Sequence, residues 1–215
     1  MPLNEGQIYE EKIRQKLRTK NLLPNNLEDN DAGFIRQGVS YFVEIKNINA
    51  PDFGQKGLIW DKFSKIWNWR RLDVISQFYE SFGIRNHIDK DFIPRRYSVE
   101  PKEKLTEQDR EFDQKNFEKS GIPLGNINLL YEFYARKKCF YIQIEGKGLF
   151  YLKDDAAKLN VPQFNLPITL RLRAKTHNSF PIHKYSFFAV IQANTNSLPL
   201  SAYDLEEKVG KFPLV

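Results

Sequence analysis

Residues 31–47, DAGFIRQGVSYFVEIKN, decide how the rest of the chain is read. Two β-prone runs, AGFIRQG and SYFVEIKN, flank a turn signal near Gln37 to Ser40, and together they predict a hairpin. In the second run Tyr41, Val43 and Ile45 share one face, which leaves Phe42, Glu44 and Lys46 on the other. Side chains at i and i+2 of a strand lie about 6–7 Å apart on the same side. Glu44 and Lys46 therefore point together into whatever covers the sheet. Burying an unpaired charge costs several kcal/mol, so this face is either solvated, with an incidental ion pair, or it lines a polar site.

Upstream, residues 4–20 place Ile8 or Tyr9, Ile13 and Leu17 at helical spacing and predict an amphipathic first helix, followed by a polar loop from Asn21 to Asp31. Downstream, INAPDFGQKG carries Pro51, Gly54 and Gly57 and reads as an interruption. The aromatic stretch LIWDKFSKIWNWRRLDVISQFYESFG that follows is mostly helical in period, with Gly83 as its stop signal. Residues 97–122 are strongly charged and read as an inserted arm, with Thr106 and Asp109 set as an N-capping pair for a short helix. A helix over NINLLYEFYARKK, a hairpin turning at Glu145 to Gly148, and the strands ITLRLRAK and YSFFAVIQA complete the order. This order suits an α/β or α+β domain with a central mixed β-sheet flanked by helices and a β-rich C-terminal part.

The 215-residue length fits one domain, and 41% apolar residues with 14% aromatics can form a core. The expected division is a core over about 4–96, a charged insertion over 97–122 and a β-rich part over 123–215. No apolar run approaches the ~20 residues of a membrane span, and the N-terminus has no apolar signal region; a cytoplasmic protein is expected. Cys139 is the only cysteine, which excludes a disulfide framework or a multi-cysteine zinc site and leaves packing as its role. The formal net charge of +6 favours polyanionic partners. His87, His177 and His183 are scattered and lack metal-site spacing.

Asp31 opens the first strand of the hairpin, so folding back brings its carboxylate beside Glu44. Two convergent carboxylates suit Mg²⁺, which keeps several waters and takes phosphate oxygens as further ligands. A lysine beside such a metal can orient or deprotonate a water and stabilise charge on a scissile phosphate. The arrangement of Asp31, a spacer of twelve residues, then Glu44-Ile45-Lys46 resembles the PD-(D/E)xK nuclease signature of type II restriction endonucleases and Holliday junction resolvases. The resemblance implies a restriction-endonuclease-like core in which Asp31 and Glu44 bind the catalytic metal and Lys46 assists the attacking water. The proline usual before the first acid is replaced by Asn30, and this leaves Asp29 as a rival to Asp31. The literal Pro51-Asp52 follows the lysine, in the wrong order. Glu10 falls where many members carry a first-helix acid, and Gln55 matches a polar residue that follows the lysine and opens a helix; Glu10 reads equally well as an ordinary exposed helix glutamate.

Beyond this resemblance, which spans residues 6–58, Arg171, Arg173 and Lys175 alternate along one strand and share a face. They read either as a solvated surface or as a basic ribbon for DNA. Arg70 and Arg71, Arg95 and Arg96, and Lys137 and Lys138 are lesser phosphate-contact candidates. Trp60, Trp67 and Trp69 read as core rather than as a stacking platform. The sequence thus points to a Mg²⁺-dependent endonuclease of double-stranded DNA, of type II restriction character, acting as a homodimer on palindromic sites. The alternatives are a repair, phage-defence or transposon nuclease with the same core, or a non-catalytic nucleic-acid-binding protein.

Overall fold

A computed structural model of the protein describes residues 4–48, 52–124, 128–176 and 185–213. In chain order the elements are α1 (Glu5–Thr19), β1 (Ala32–Arg36), β2 (Val39–Lys46), β3 (Asp52–Asp61), β4 (Ile66–Trp69), α2 (Val74–Ser81), α3 (Arg95–Ser98), α4 (Glu107–Phe117), β5 (Lys119–Pro123), α5 (Asn128–Arg136), β6 (Cys139–Ile144), β7 (Gly148–Tyr151), β8 (Ile168–Thr176) and β9 (Tyr185–Ala193). The fold is mixed α/β, with sheets flanked by helices. Its elements group into two compact units, each discontinuous in sequence. The first takes Met1–Pro51, Asn126–Pro167 and Ala193–Val215; the second takes Asp52–Gly125 and Ile168–Gln192. Among the described residues no helix is long and apolar enough to cross a membrane.

The first unit is built on a mixed four-stranded sheet in the order β1-β2-β6-β7. The hairpin forms as its alternation predicts, with Ala32 opposite Val43 and Phe34 opposite Tyr41. Its turn is made by Gln37 and Gly38, both at positive φ, the pairing that matches strand twist in a tight hairpin. β2 then runs parallel to β6, with Glu44 beside Ile142 and Lys46 beside Ile144. A parallel neighbour requires a long crossover, and here 92 residues, 47–138, separate the two strands in sequence. Helix α1 starts at a capping box between Asn4 and Gln7 and buries Tyr9, Ile13 and Leu17 against Ala32, Phe34, Val43 and Ile45. Ile8 is exposed, which settles the apolar stripe on Tyr9. Cys139 is buried, in keeping with a packing role.

The second unit carries a five-stranded sheet in the order β4-β3-β9-β8-β5. The helix expected over the aromatic stretch is not there. Residues 52–69 form a hairpin, and only Val74–Ser81 is helical, stopped by Gly83 at φ +61. The reason is the pairing of Leu58 with Trp69 and Trp60 with Trp67, which buries all three tryptophans on a sheet. Two strands joined by a short turn imitate helical spacing in sequence. The expected interruption at DFGQKG is itself part of β3, whose register shifts between Phe53 and Lys56 around Gly54, at φ +55. The charged segment 97–122 holds α4, capped as expected by Thr106 and Asp109, and ends in the edge strand β5. It buries Phe117 and Asp113. Asp113 accepts hydrogen bonds from the Arg95 and Arg96 N–H groups (2.7 and 3.0 Å) and the Tyr185 hydroxyl (2.5 Å), so it satisfies the open N-terminus of the short helix α3 from a distance. His177 and His183 lie outside the described residues.

The corrected hairpin has a consequence of opposite sign to a helix. Lys65 occupies the left-handed region at φ +53, which costs a non-glycine residue about 1–2 kcal/mol. Lys65→Gly is therefore expected to raise the urea unfolding midpoint, with a gain of roughly 1 kcal/mol. In a helix the same change costs about 1 kcal/mol, so a lowered midpoint contradicts the hairpin.

Candidate active site

The site is assembled at the end of β2. Glu44 is 7% exposed although it is a carboxylate, and such burial needs partners. Lys46 Nζ lies 2.5 Å from Glu44 Oε1, and the Tyr134 hydroxyl on α5 donates to its carboxylate. Asp31 precedes β1, and its Oδ2 accepts the Ile45 N–H at 2.9 Å while lying 4.0 Å from Lys46 Nζ. Both acids thus converge on one ammonium. Glu10 on α1 joins the same electrostatic cluster, interacting with Asp31, Lys46 and Glu44. Arg14, one turn further along α1, fastens the helix to the hairpin: its Nε donates to the Asp31 carbonyl oxygen (2.6 Å) and its Nη2 to Glu10 (3.3 Å).

The charges are poised against each other. Burial, and then repulsion from Glu44, push the Asp31 carboxyl above the usual aspartate range. Burial and Asp31 do the same to Glu10. Burial works to lower Lys46, but Glu44 and Asp31 outweigh it and hold the ammonium above the ordinary lysine range. The Tyr134 hydroxyl is pushed well up, first by burial and then by Glu44. Three carboxylates, Asp31, Glu44 and Glu10, gather around Lys46 and Arg14, and Lys137 adds a weaker favourable charge at Asp31.

Of the residues singled out in the sequence, Asp31, Glu44, Lys46 and Glu10 come together. Asp29 does not join them: it is exposed in a turn at φ +65. Asn30 stands where the motif has proline and rigidifies the chain by other means. Its buried amide donates to the carbonyls of Leu27, Glu28 and Lys137 (3.1, 3.2 and 3.4 Å), closing the turn that delivers Asp31. Gln55 belongs to the second unit, where it is exposed on β3 beside the bulge and opens no helix. Tyr134 and Arg14 escaped sequence reasoning. Tyr134 lies within the helix expected over NINLLYEFYARKK, and its contact with Glu44 spans 90 residues.

Among the described residues no group of three or more His, Cys, Asp or Glu side chains is set to hold a metal ion. The donor set nevertheless fits Mg²⁺, which binds through one or two carboxylates and retains waters. Among the described residues no hydrogen bond engages Asp31 Oδ1, while Oδ2 accepts the Ile45 N–H.

In the second unit, the basic strand β8 is differentiated. Arg173 Nη1 lies 3.1 Å from Asp52 Oδ2, and Gln192 donates to the other Asp52 oxygen at 2.7 Å. Arg171 has no such partner among the described residues and borders a cavity of about 370 Å³ shared with Glu118, Lys119, Ser120 and Gln192. Lys175 is half-buried. Arg70 donates to the Ser186 hydroxyl (3.2 Å), and Arg71 is exposed.

No protein-family model and no curated protein matches the sequence. Among solved structures, HhaI endonuclease in complex with DNA is similar at 12% identity and a TM-score of 0.37, over 90% of this chain and 87% of that one.

Because the Asp31 charge is desolvated and repelled by Glu44, neutralising it relieves the fold. Asp31→Asn, which retains an oxygen for the Ile45 N–H, is expected to raise the melting temperature in EDTA by about 2–4 °C. A fall of that size would show that the carboxylate stabilises the chain instead of serving a function at a cost.

Proposed function

We propose that the protein is a Mg²⁺-dependent endonuclease that hydrolyses phosphodiester bonds of double-stranded DNA, of the PD-(D/E)xK type and of type II restriction character. The observation that carries this reading is the convergence of Asp31 and Glu44 on Lys46 at the end of a strand, with Glu10 beside them. A structural ion pair would need one carboxylate; a second and third, desolvated and mutually repelling, are what a divalent cation complements.

Asp31 and Glu44 would hold the Mg²⁺, and Glu10 would add negative charge from the helix side. The metal, when bound, supplies Lewis-acid polarisation of the phosphate and a more acidic water. Lys46 would hold its proton at Nζ and hydrogen-bond the attacking water or the charge building on the phosphate oxygens. Tyr134 keeps the Glu44 carboxylate fixed from behind. Arg14 positions both Glu10 and the Asp31 backbone, so the acids are set before substrate arrives.

For substrate, the +6 net charge and the half-buried basic face of β8 support a duplex polyanion. On that face Arg171 is the contact we favour, because Arg173 is already neutralised by Asp52 and serves the sheet. Cleavage of palindromic sites would make the working form a homodimer.

The test is digestion of a mixed-sequence plasmid. Wild type is expected to give discrete fragments with Mg²⁺ and none in EDTA. Asp31→Ala and Lys46→Ala are each expected to lose at least about 100-fold in rate, and Asp29→Ala to cut normally. Arg171→Ala is expected to weaken DNA binding more than Arg173→Ala. A folded wild type that binds DNA but cuts none sinks the enzymatic reading, leaving a binding protein. Loss of cutting in Asp29→Ala but not in Asp31→Ala reassigns the first acid.

A further inference from the structure

At the tip of the β3–β4 hairpin, Phe63 is 87% exposed, more than any other exposed large hydrophobic residue among those described. The tip that presents it is held in one shape. Asp61 Oδ1 accepts the N–H groups of Phe63 (2.9 Å) and Ser64 (3.5 Å), and Asp61 Oδ2 accepts the Ser64 hydroxyl (2.7 Å). Lys65 completes the turn in the left-handed region. The base of the hairpin is anchored by Trp60 and Trp67, packed edge to face at 5.6 Å. A ring on a loose loop needs no explanation, but this one stands on a braced turn.

The residues on either side of the tip, Lys62 and Lys65, are cations. Lys62 Nζ lies 5.6 Å from the Phe63 ring centroid, and its ion pair with Glu100 is long, at 4.0 Å, between side chains about 60% exposed, so it holds Lys62 weakly. Lys65 has no ion pair among the described residues and borders a groove of about 490 Å³ whose wall also carries Arg85 and Lys90 together with Glu80 and Asp89, and Glu80 is already paired with Arg85. The tip's own acid, Asp61, is spent on the turn. The same hairpin also exposes Ile66 (47%), but an apolar anchor for a protein partner sits in a patch with charges excluded, whereas a ring between two lysines complements a stacked base between phosphates.

We propose that the 61–66 hairpin is a nucleic-acid probe in which Phe63 stacks on a base and Lys62 and Lys65 take the flanking phosphates. The proposal rests on the reading of the chain as acting on DNA. Insertion of an apolar ring at a base step opens or bends the duplex there, so the tip would sense how easily a step unstacks, independently of any base-edge contact from β8.

The experiment measures binding of the full chain in EDTA to a mixed-sequence duplex and a single strand of the same sequence, by fluorescence anisotropy over a range of salt. Phe63→Ala is expected to weaken binding by roughly ten-fold or more with the salt slope unchanged, and Phe63→Tyr to keep wild-type affinity. Lys62→Gln with Lys65→Gln is expected to flatten the slope by about two phosphates' worth. Because Phe63 is exposed, equal melting temperatures confirm that the fold is intact. Unchanged affinity in Phe63→Ala, with wild type binding DNA, overturns the proposal and leaves the nuclease reading standing. Loss of self-association in Phe63→Ala, read by sedimentation velocity with DNA affinity per protomer unchanged, overturns it in favour of a protein interface. Wild type that binds no DNA overturns both.

Discussion

The structure of the first unit turns on a charge pair placed where a sheet would prefer apolar side chains. Glu44 and Lys46 sit 2.5 Å apart with side chains 10% and 18% exposed, and a buried pair of this kind tolerates no missing partner; removing one charge costs about 3–5 kcal/mol. The surrounding elements meet that demand. Helix α5 brings Tyr134 to Glu44, the loop before β1 brings Asp31 to Lys46, and β1 and β6 close the backbone ladder of β2 on both sides. Helix α1 covers the opposite face with Tyr9, Ile13 and Leu17, and its Glu10 and Arg14 reach the polar cluster as well.

Much of that unit was legible because its signals are local. Alternation fixed the hairpin, spacing fixed α1, and the two faces of β2 followed from a period of two. The motif residues Asp31, Glu44 and Lys46 could be joined because a hairpin is the shortest way to bring distant positions together. What could not be read depends on partners remote in sequence. Tyr134 reaches Glu44 across 90 residues, and Asn30 reaches Lys137 across 107. Asn30 was read as a departure from the motif; its three hydrogen bonds instead do the work of holding the turn.

The second unit shows the complementary failure. Trp60, Trp67 and Trp69 gave the right burial and the wrong element, since two strands and a turn reproduce a helical rhythm over a dozen residues. Gln55 was lost with that error, because its expected role depended on a helix that β3 replaces. On β8 the pattern placed Arg171 and Arg173 on one face correctly, but only the position of Asp52 separates an ion-paired arginine from one with no such partner among the described residues.

Asp31, from the loop before β1, and Glu44 and Lys46, on β2, are proposed to perform the hydrolysis. The measurement that bears on it most directly is single-turnover cleavage of a supercoiled plasmid by wild type and by Glu44→Gln, with bound DNA quantified in the same samples. Glutamine keeps the size and hydrogen-bonding reach of the side chain while removing its charge. Retained binding with cleavage lowered by at least about 100-fold is the expected result; equal cleavage by the two proteins would contradict the assignment.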